Sequence, residues 1–366
     1  MVSTDEIRRP AEDRFAAELT SLADADGRAG NDRPPGWLLS PRAVRAFVLG
    51  DAELGVSRKF YGDDPLVDRA IVSLLGRQGL MLVGEPGTAK SMLSELLAAA
   101  VSGDTGLTIQ GTAGTTEDHI RYSWNYALLL AEGPSDRSLV PSPLHQALVG
   151  GKIVRFEEIT RCAPEIQDNL VSILSDKQLM IPEFGPNARV PARPGFNIIA
   201  TANLRDRGVN EMSAALKRRF NFETVRPITD HAFEVELVSG QLTEELGERG
   251  EEVEVPREVI RLLVTAFQEL RSGVTAGGTP VKSPETVMST AEAVNVAFAA
   301  ALEARYLGNG VVSAAEIARQ ISGVALKDNP EDARRLRFYV DNIVRERART
   351  DPLWKDFFRA AADLWH

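Results

Sequence analysis

Short apolar runs alternate with amphipathic stretches over roughly the first two thirds of the chain, and amphipathic stretches alone fill the rest. The run LMLVG, Leu80 to Gly84, follows a helical pattern in PLVDRAIVSLLGRQ and ends in glycine. A run this short and this apolar predicts a parallel strand buried on both faces. SMLSELLAAAVSG then places apolar residues at helical spacing up to Gly103, a stop signal. LTIQG (Leu107 to Gly111), KIVRF (Lys152 to Phe156) and FNIIATAN (Phe196 to Asn203) predict further strands, and KIVRF leads into a helix at APEIQDNLVSILSDK. Strands alternating with helices predict an α/β fold with a parallel sheet covered by helices. From about Ile228 the pattern is helical only. Ser283-Pro284, Asn329-Pro330 and Asp351-Pro352 each place a capping residue before a proline, and Ser313 to Glu316 forms a capping box. The expected division is a polar arm and linker over 1–43, an α/β core over 44–227 and an all-helical domain over 228–366. Within the arm, DADGRAGNDRPPG (Asp24 to Gly36) reads as a flexible linker.

The predicted strand–loop–helix at residues 80–103 carries GEPGTAKS, that is Gly84, Glu85, Pro86, Gly87, Thr88, Ala89, Lys90 and Ser91. This is close to the phosphate-loop pattern G-x-x-x-x-G-K-[ST], with Ala89 where glycine is expected. N–H groups at a helix start point at an anion, and the helix dipole favours negative charge there. Gly84 and Gly87 let the backbone wrap phosphates, Lys90 reaches the terminal phosphates and Ser91 can ligate Mg²⁺. With a negative φ at Ala89 and its methyl turned away from the phosphates, alanine costs little. The strand IVRF ends in Glu157 and Glu158, where one carboxylate can serve an Mg²⁺ shell and its neighbour can polarise an attacking water. Asn203 ends the ATAN strand, where an amide can orient a water, and a loop leads on to Arg218 and Arg219, either of which can neutralise developing charge. A turn residue or a solvated helix end would equally explain these last positions taken singly.

Composition narrows the picture little. The chain has 366 residues, 43% hydrophobic and 26% charged, enough for a large core domain plus a smaller one. Its net charge of −10 argues against sequence-independent nucleic-acid binding. The single cysteine, Cys162, allows no internal disulfide and fits a reducing compartment. His119, His145, His231 and His366 show no metal-ligand spacing. The N-terminal stretch has no apolar signal core, and no run reaches the ~18 apolar residues of a membrane span. A cytoplasmic protein is expected.

In this order the motifs resemble the AAA+ ATPases, and within them the MoxR type. GEPGTAKS looks like that group's Walker A, where alanine before the lysine is a familiar variant. IVRFEEITRCAPEIQDNLVSIL looks like its Walker B strand and following helix. ATAN supplies the sensor 1 asparagine, Asn203, and ALKRRF the arginine-finger segment, matching Arg219 with Arg218 as the fallback. The segment DHIRYSWNYALLLAEGPSDRSLVPSPLHQAL resembles the helix-2 insert of the MoxR, Mg-chelatase and MCM group, and KQLMIPEFGPNARVPARPGFN its pre-sensor-1 hairpin. Trp124, Tyr126 and the leucines of ALLL are contact candidates there, with local core packing an equal account. Phe60 and Tyr61 are adenine-pocket candidates, again with core packing the competitor. The sensor 2 arginine of such lids is replaced by Glu285, and only Lys282 stands close in sequence to substitute.

The resemblance implies a P-loop AAA+ core with a helical lid, and ATP and Mg²⁺ as its ligands. Glu158 would activate water, Asn203 place it, and Lys90 and the loop hold phosphates, while Ser91 and Glu157 hold the metal. Arg219 would act in trans, which implies a homo-oligomeric ring, most simply a hexamer. It further implies chaperone-like remodelling or maturation of a client, with a von Willebrand factor A-domain protein as a candidate partner. A nucleic-acid motor and a poorly hydrolysing ATP-binding switch are the alternatives.

Overall fold

The computed structural model describes residues 9–203, 208–286, 288–325 and 329–362. The chain forms two units, Met1–Glu85 with Ala89–Arg226, and Pro227–His366 with Pro86–Thr88.

In the first unit the strands are β1 (Gly79–Val83), β2 (Thr108–Gln110), β3 (Tyr122–Trp124), β4 (Leu139–Pro141), β5 (Ile153–Glu157), β6 (Gln178–Met180), β7 (Arg189–Pro191), β8 (Asn197–Ala202) and β9 (Phe220–Thr224). Five form a sheet in the order β2-β5-β8-β1-β9, each neighbouring pair parallel. β1 is buried at every position, as an apolar run without alternation requires. Because side chains alternate across a strand, Leu80, Leu82, Ile153 and Ile199 join one core cluster with the helix Lys90–Ser102, while Met81, Val83, Val154, Phe156, Ile198 and Ala200 join another on the opposite face. β9 is a strand that the apolar pattern did not reveal. FNFET carries polar residues and lies at the sheet edge, where only β1 pairs with it and Phe222 stays 40% exposed. Two antiparallel pairs, β3 with β4 and β6 with β7, stand outside this sheet.

The N-terminal segment expected as a loose helical arm is helical but packed onto the core, and the stretch expected as a flexible linker is held in place. Ala16–Ala29 is a helix whose Leu19 and Leu22 are buried with Trp37, Leu39 and Phe47 in the core. The linker segment is clamped by Asp26, whose carboxylate accepts from Ser40 N–H at 2.7 Å, Ser40 Oγ at 2.7 Å and Asn31 Nδ2 at 2.9 Å. Glu12 accepts from Thr105 N–H and Oγ1 at 2.9 and 2.7 Å. A few apolar side chains and buried acceptors suffice to fold this segment down, although its composition is polar.

The second unit contains the helices His231–Glu248, Arg257–Ser272, Thr290–Leu307, Ala314–Ala325, Pro330–Tyr339 and Pro352–Ala362 around a core that includes Leu242, Leu263, Phe267, Ala297, Ile317, Leu336 and Phe357. The starts at Asn329, Asp351 and Ser313 are capped as the sequence indicates. Ser283-Pro284 does not open a helix. The Asp332 carboxylate takes the N–H groups of Glu285 and Thr286 at 2.7 and 2.8 Å, which holds this segment as a loop, and Ser289 with Glu292 caps the helix that begins at Thr290. Two carboxylates are saturated inside this unit. Glu234 accepts from Arg271, Gln268 and Thr290, and Glu269 accepts from both terminal nitrogens of Arg347, from Tyr339 Oη and from Ala276 N–H.

Candidate functional site

Parallel pairing brings the C-terminal ends of β1, β5 and β8 to one edge of the sheet. Gly84, Glu157 and Asn203 therefore emerge side by side, and the helix beginning at Lys90 starts from the same edge. The location matches the general rule for open parallel sheets, whose ligands bind beyond the carboxyl ends of the strands.

Ala89 has φ 64° and ψ 24°, in the left-handed region. The condition under which alanine would cost little, a negative φ, is therefore not met, and the glycine preference at this position has a visible cause. A Cβ in this conformation crowds the following carbonyl, at a cost of about 1–2 kcal/mol. Glu158, with φ 55°, is held in the same region. Among the described residues only Lys177 joins them as a non-glycine with positive φ, so strain gathers at this edge.

Lys90 is buried and folds back on its own loop, donating from Nζ to Gly84 O at 3.1 Å and Glu85 O at 2.7 Å. Burial lowers its pKa to about 8, against the opposing pull of Glu158, Glu157 and Glu85. An anion at the loop would replace those carbonyls and favour the charged form.

Ile153, Arg155 and Glu157 share the strand face that meets the helix Lys90–Ser102, alternating with Val154 and Phe156 on the other face. Glu157 is 5% exposed and accepts four hydrogen bonds. Ser91 Oγ and Thr201 Oγ1 each donate to Oε2 at 2.7 Å, while Oε1 accepts from Ser94 Oγ at 2.6 Å and from Arg155 Nη2 at 2.8 Å. Burial pushes the Glu157 pKa up, but the bonds from Ser94, Thr201 and Ser91 and the charge of Arg155 outweigh it and hold the carboxyl below its usual range. Glu158 points elsewhere. It pairs with Arg161, and Asn203 Nδ2 lies 3.5 Å from its Oε1. Asn203 is 5% exposed, and its Oδ1 is buried without a partner.

The residues that converge fit Mg²⁺. Ser91 Oγ and a carboxylate oxygen stand together as hard oxygen donors, and Mg²⁺ is ordinarily held by one or two protein oxygens plus water and phosphate rather than by an all-protein cage. No group of three or more His, Cys, Asp or Glu that could hold a metal occurs among the described residues. His366 lies outside them.

Arg219 is not brought to this site. It directly precedes β9, and its carbonyl accepts from Gly79 N–H at the N-terminal end of β1. The length of β1, about 13 Å at ~3.3 Å per residue, separates that end from the loop 84–89. Its side chain donates to Ser175 Oγ and Ala215 O. Arg218 is exposed. Phe60 is fully in the core cluster, so packing accounts for it, and Tyr61 donates to Arg58 O. Trp124 packs edge-on against Tyr122 and Phe184, whereas Tyr126 and Leu130 of the insert are 68% and 88% exposed. In the second unit Glu285 lies 3.8 Å from Arg335, and Lys282 sits over the Phe338 ring.

Sequence reading passed over Arg155, Ser94 and Thr201. A charged residue inside an apolar strand, two positions before Glu157 and so on its face, was the available signal for Arg155. Ser94, one helical turn beyond Ser91, carries a weaker one.

Residues 79–220 match a family model described as AAA domain (dynein-related subfamily), and residues 232–364 one described as YehL-like AAA+ ATPase C-terminal domain. The chain is 51% identical to YehL of Escherichia coli (strain K12) over 357 residues, 96% of each chain. It is 28% identical to Chaperone MoxR1 of Mycobacterium tuberculosis over 194 residues, 53% of this chain and 48% of that protein. Among solved structures, NtrX from Brucella abortus shares the fold, with a TM-score of 0.50 at 13% identity over 82% of this chain and 64% of NtrX. No helix among the described residues is long and apolar enough to cross a membrane.

Proposed function

The chain belongs to the AAA+ ATPases, of the YehL and MoxR type, and from that premise we propose that it hydrolyses ATP with Mg²⁺ to remodel or mature a partner protein. The observation that supports this is the meeting of Lys90, Ser91, Glu157, Glu158 and Asn203 at one sheet edge. Lys90 and the backbone N–H groups of the loop from Gly84 to Ser91, Pro86 excepted, hold the phosphates. Ser91 and Glu157 would hold Mg²⁺, which supplies compensating charge beside the phosphate oxygens. Glu158 takes the proton of the attacking water once it turns from Arg161. Asn203 places that water, with its unpartnered Oδ1 as the acceptor.

Arg219 lies too far along the sheet to serve its own loop, which supports a role in trans on a second copy of the chain. A closed ring, most simply a hexamer, follows from such a head-to-tail contact. The similarity to Chaperone MoxR1 supports the chaperone-like part of the reading. A von Willebrand factor A-domain client and a cytoplasmic setting complete the proposal.

The test is ATP binding and turnover. Lys90→Ala should weaken ATP binding by at least about 2 kcal/mol, because charge-assisted phosphate contacts are lost; unchanged affinity refutes the loop assignment. Arg219→Ala should keep binding and lose turnover in the assembled protein, and full activity in a monomer removes the trans role.

A further inference from the structure

We propose that Arg155 is a built-in counter-cation of Glu157, a positioning residue that sets how strongly nucleotide binding depends on Mg²⁺. The inference rests on the ATPase reading of the same site. The Arg155 side chain is 11% exposed and that of Glu157 is 7% exposed, so the pair is not a solvated surface contact. The guanidinium is fixed from several directions. Nη2 donates to Glu157 Oε1 at 2.8 Å and to Ser91 O at 3.3 Å, and Nε donates to Ser94 Oγ at 3.0 Å. Nη1 reaches Thr105 O at 3.4 Å and Thr108 Oγ1 at 3.5 Å. It therefore ties β5 to the first turn of the helix that follows the phosphate loop.

Two consequences follow from charge and geometry. With Oε1 occupied by Arg155 and Ser94, Oε2 is the oxygen turned to Ser91, so the side toward the metal site is set before any metal arrives. The positive charge also offsets the repulsion between Glu157 and incoming phosphates, an effect strengthened where water is scarce. Phosphates can then approach with less help from a metal. Without Arg155 the carboxylate would face them uncompensated, and Mg²⁺ would have to supply that charge. A guanidinium that only braced the fold would have no such link to the metal.

The experiment compares binding of an N-methylanthraniloyl-labelled ATP by the full chain in excess Mg²⁺ and in EDTA. In Arg155→Met the ratio of the two affinities should rise by at least about fivefold over the unmodified chain, the lower end of ordinary coupling between two ligands. Arg155→Lys should bring the ratio back to within about twofold of the starting value, since the charge is restored. If both affinities fall together with the ratio unchanged, or if the lysine variant behaves as the methionine one, the inference is overturned. Should Arg155→Met melt below the assay temperature, Arg155→Gln keeps a donor to Glu157 without the charge and is read the same way. An unmodified chain that binds the labelled ATP in neither buffer overturns the ATPase reading itself.

Discussion

Both units of the chain bury carboxylates that an arginine anchors, yet they do so to different ends. In the helical unit Glu269 is met by Arg347, Tyr339 and Ala276 N–H, and Glu234 by Arg271, Gln268 and Thr290. At the sheet edge of the core unit, Glu157 is met by Arg155, Ser94, Thr201 and Ser91. Ser91 is the hydroxyl that a bound metal would claim. Strain divides the units as well. Ala89, Glu158 and Lys177, the non-glycine residues of positive φ among those described, all lie in the core unit. So do the buried side-chain atoms without a hydrogen-bond partner among the described residues, Thr160 Oγ1, Gln167 Oε1, Lys177 Nζ and Asn203 Oδ1. A buried charge whose partners are all satisfied braces a fold. One whose partners are needed by something else, beside strained backbone and an open acceptor, marks a place where a ligand completes the structure.

This contrast can be broken by substitution. The largest effect expected is on rate: Glu158→Gln should lower ATP turnover about 10²–10⁴-fold, as loss of a general base does, with little change in melting temperature. Unchanged turnover would remove Glu158 from the chemistry. Glu269→Ala should do the reverse. It leaves Arg347 and Tyr339 without their acceptor and should cost about 3 kcal/mol of stability, read from the denaturant midpoint, while the folded fraction keeps its nucleotide affinity. A loss of affinity without loss of stability would end the distinction between the units. The smallest effect is expected at Ala89→Gly. Relief of the left-handed strain, less the extra freedom of glycine in the unfolded chain, should raise stability by about 0.5–1 kcal/mol. A drop in stability would show that the alanine methyl contributes packing that outweighs its strain.

Much of the core was legible because its strands are apolar runs punctuated by glycine, and because GEPGTAKS marks the turn between a strand and a helix, where Lys90 is found to start the helix. β9 was not legible, since FNFET is half polar and becomes a strand only by pairing with β1 at an edge. The segment Asp24 to Gly36 was misread because its turn-forming composition hides one buried acid, Asp26, whose bonds to Ser40 and Asn31 hold it down. Ser283-Pro284 was misread because a helix start is decided by competition, and here Asp332, far along the chain, takes the N–H groups that a new helix would have left open.

The sequence by itself determined the α/β order, the helical C-terminal region and the strand–loop–helix that carries GEPGTAKS, since each rests on local periodicity or a short motif. Only the tertiary structure decided the left-handed turn at Ala89, the placing of Arg219 at the far end of the sheet from the loop, and the encirclement of Glu157 by Arg155, Ser94 and Thr201. The physical reason is range. Periodicity and motif spacing report what neighbours along the chain can do, whereas a buried charge is governed by whatever strand pairing brings to it from elsewhere.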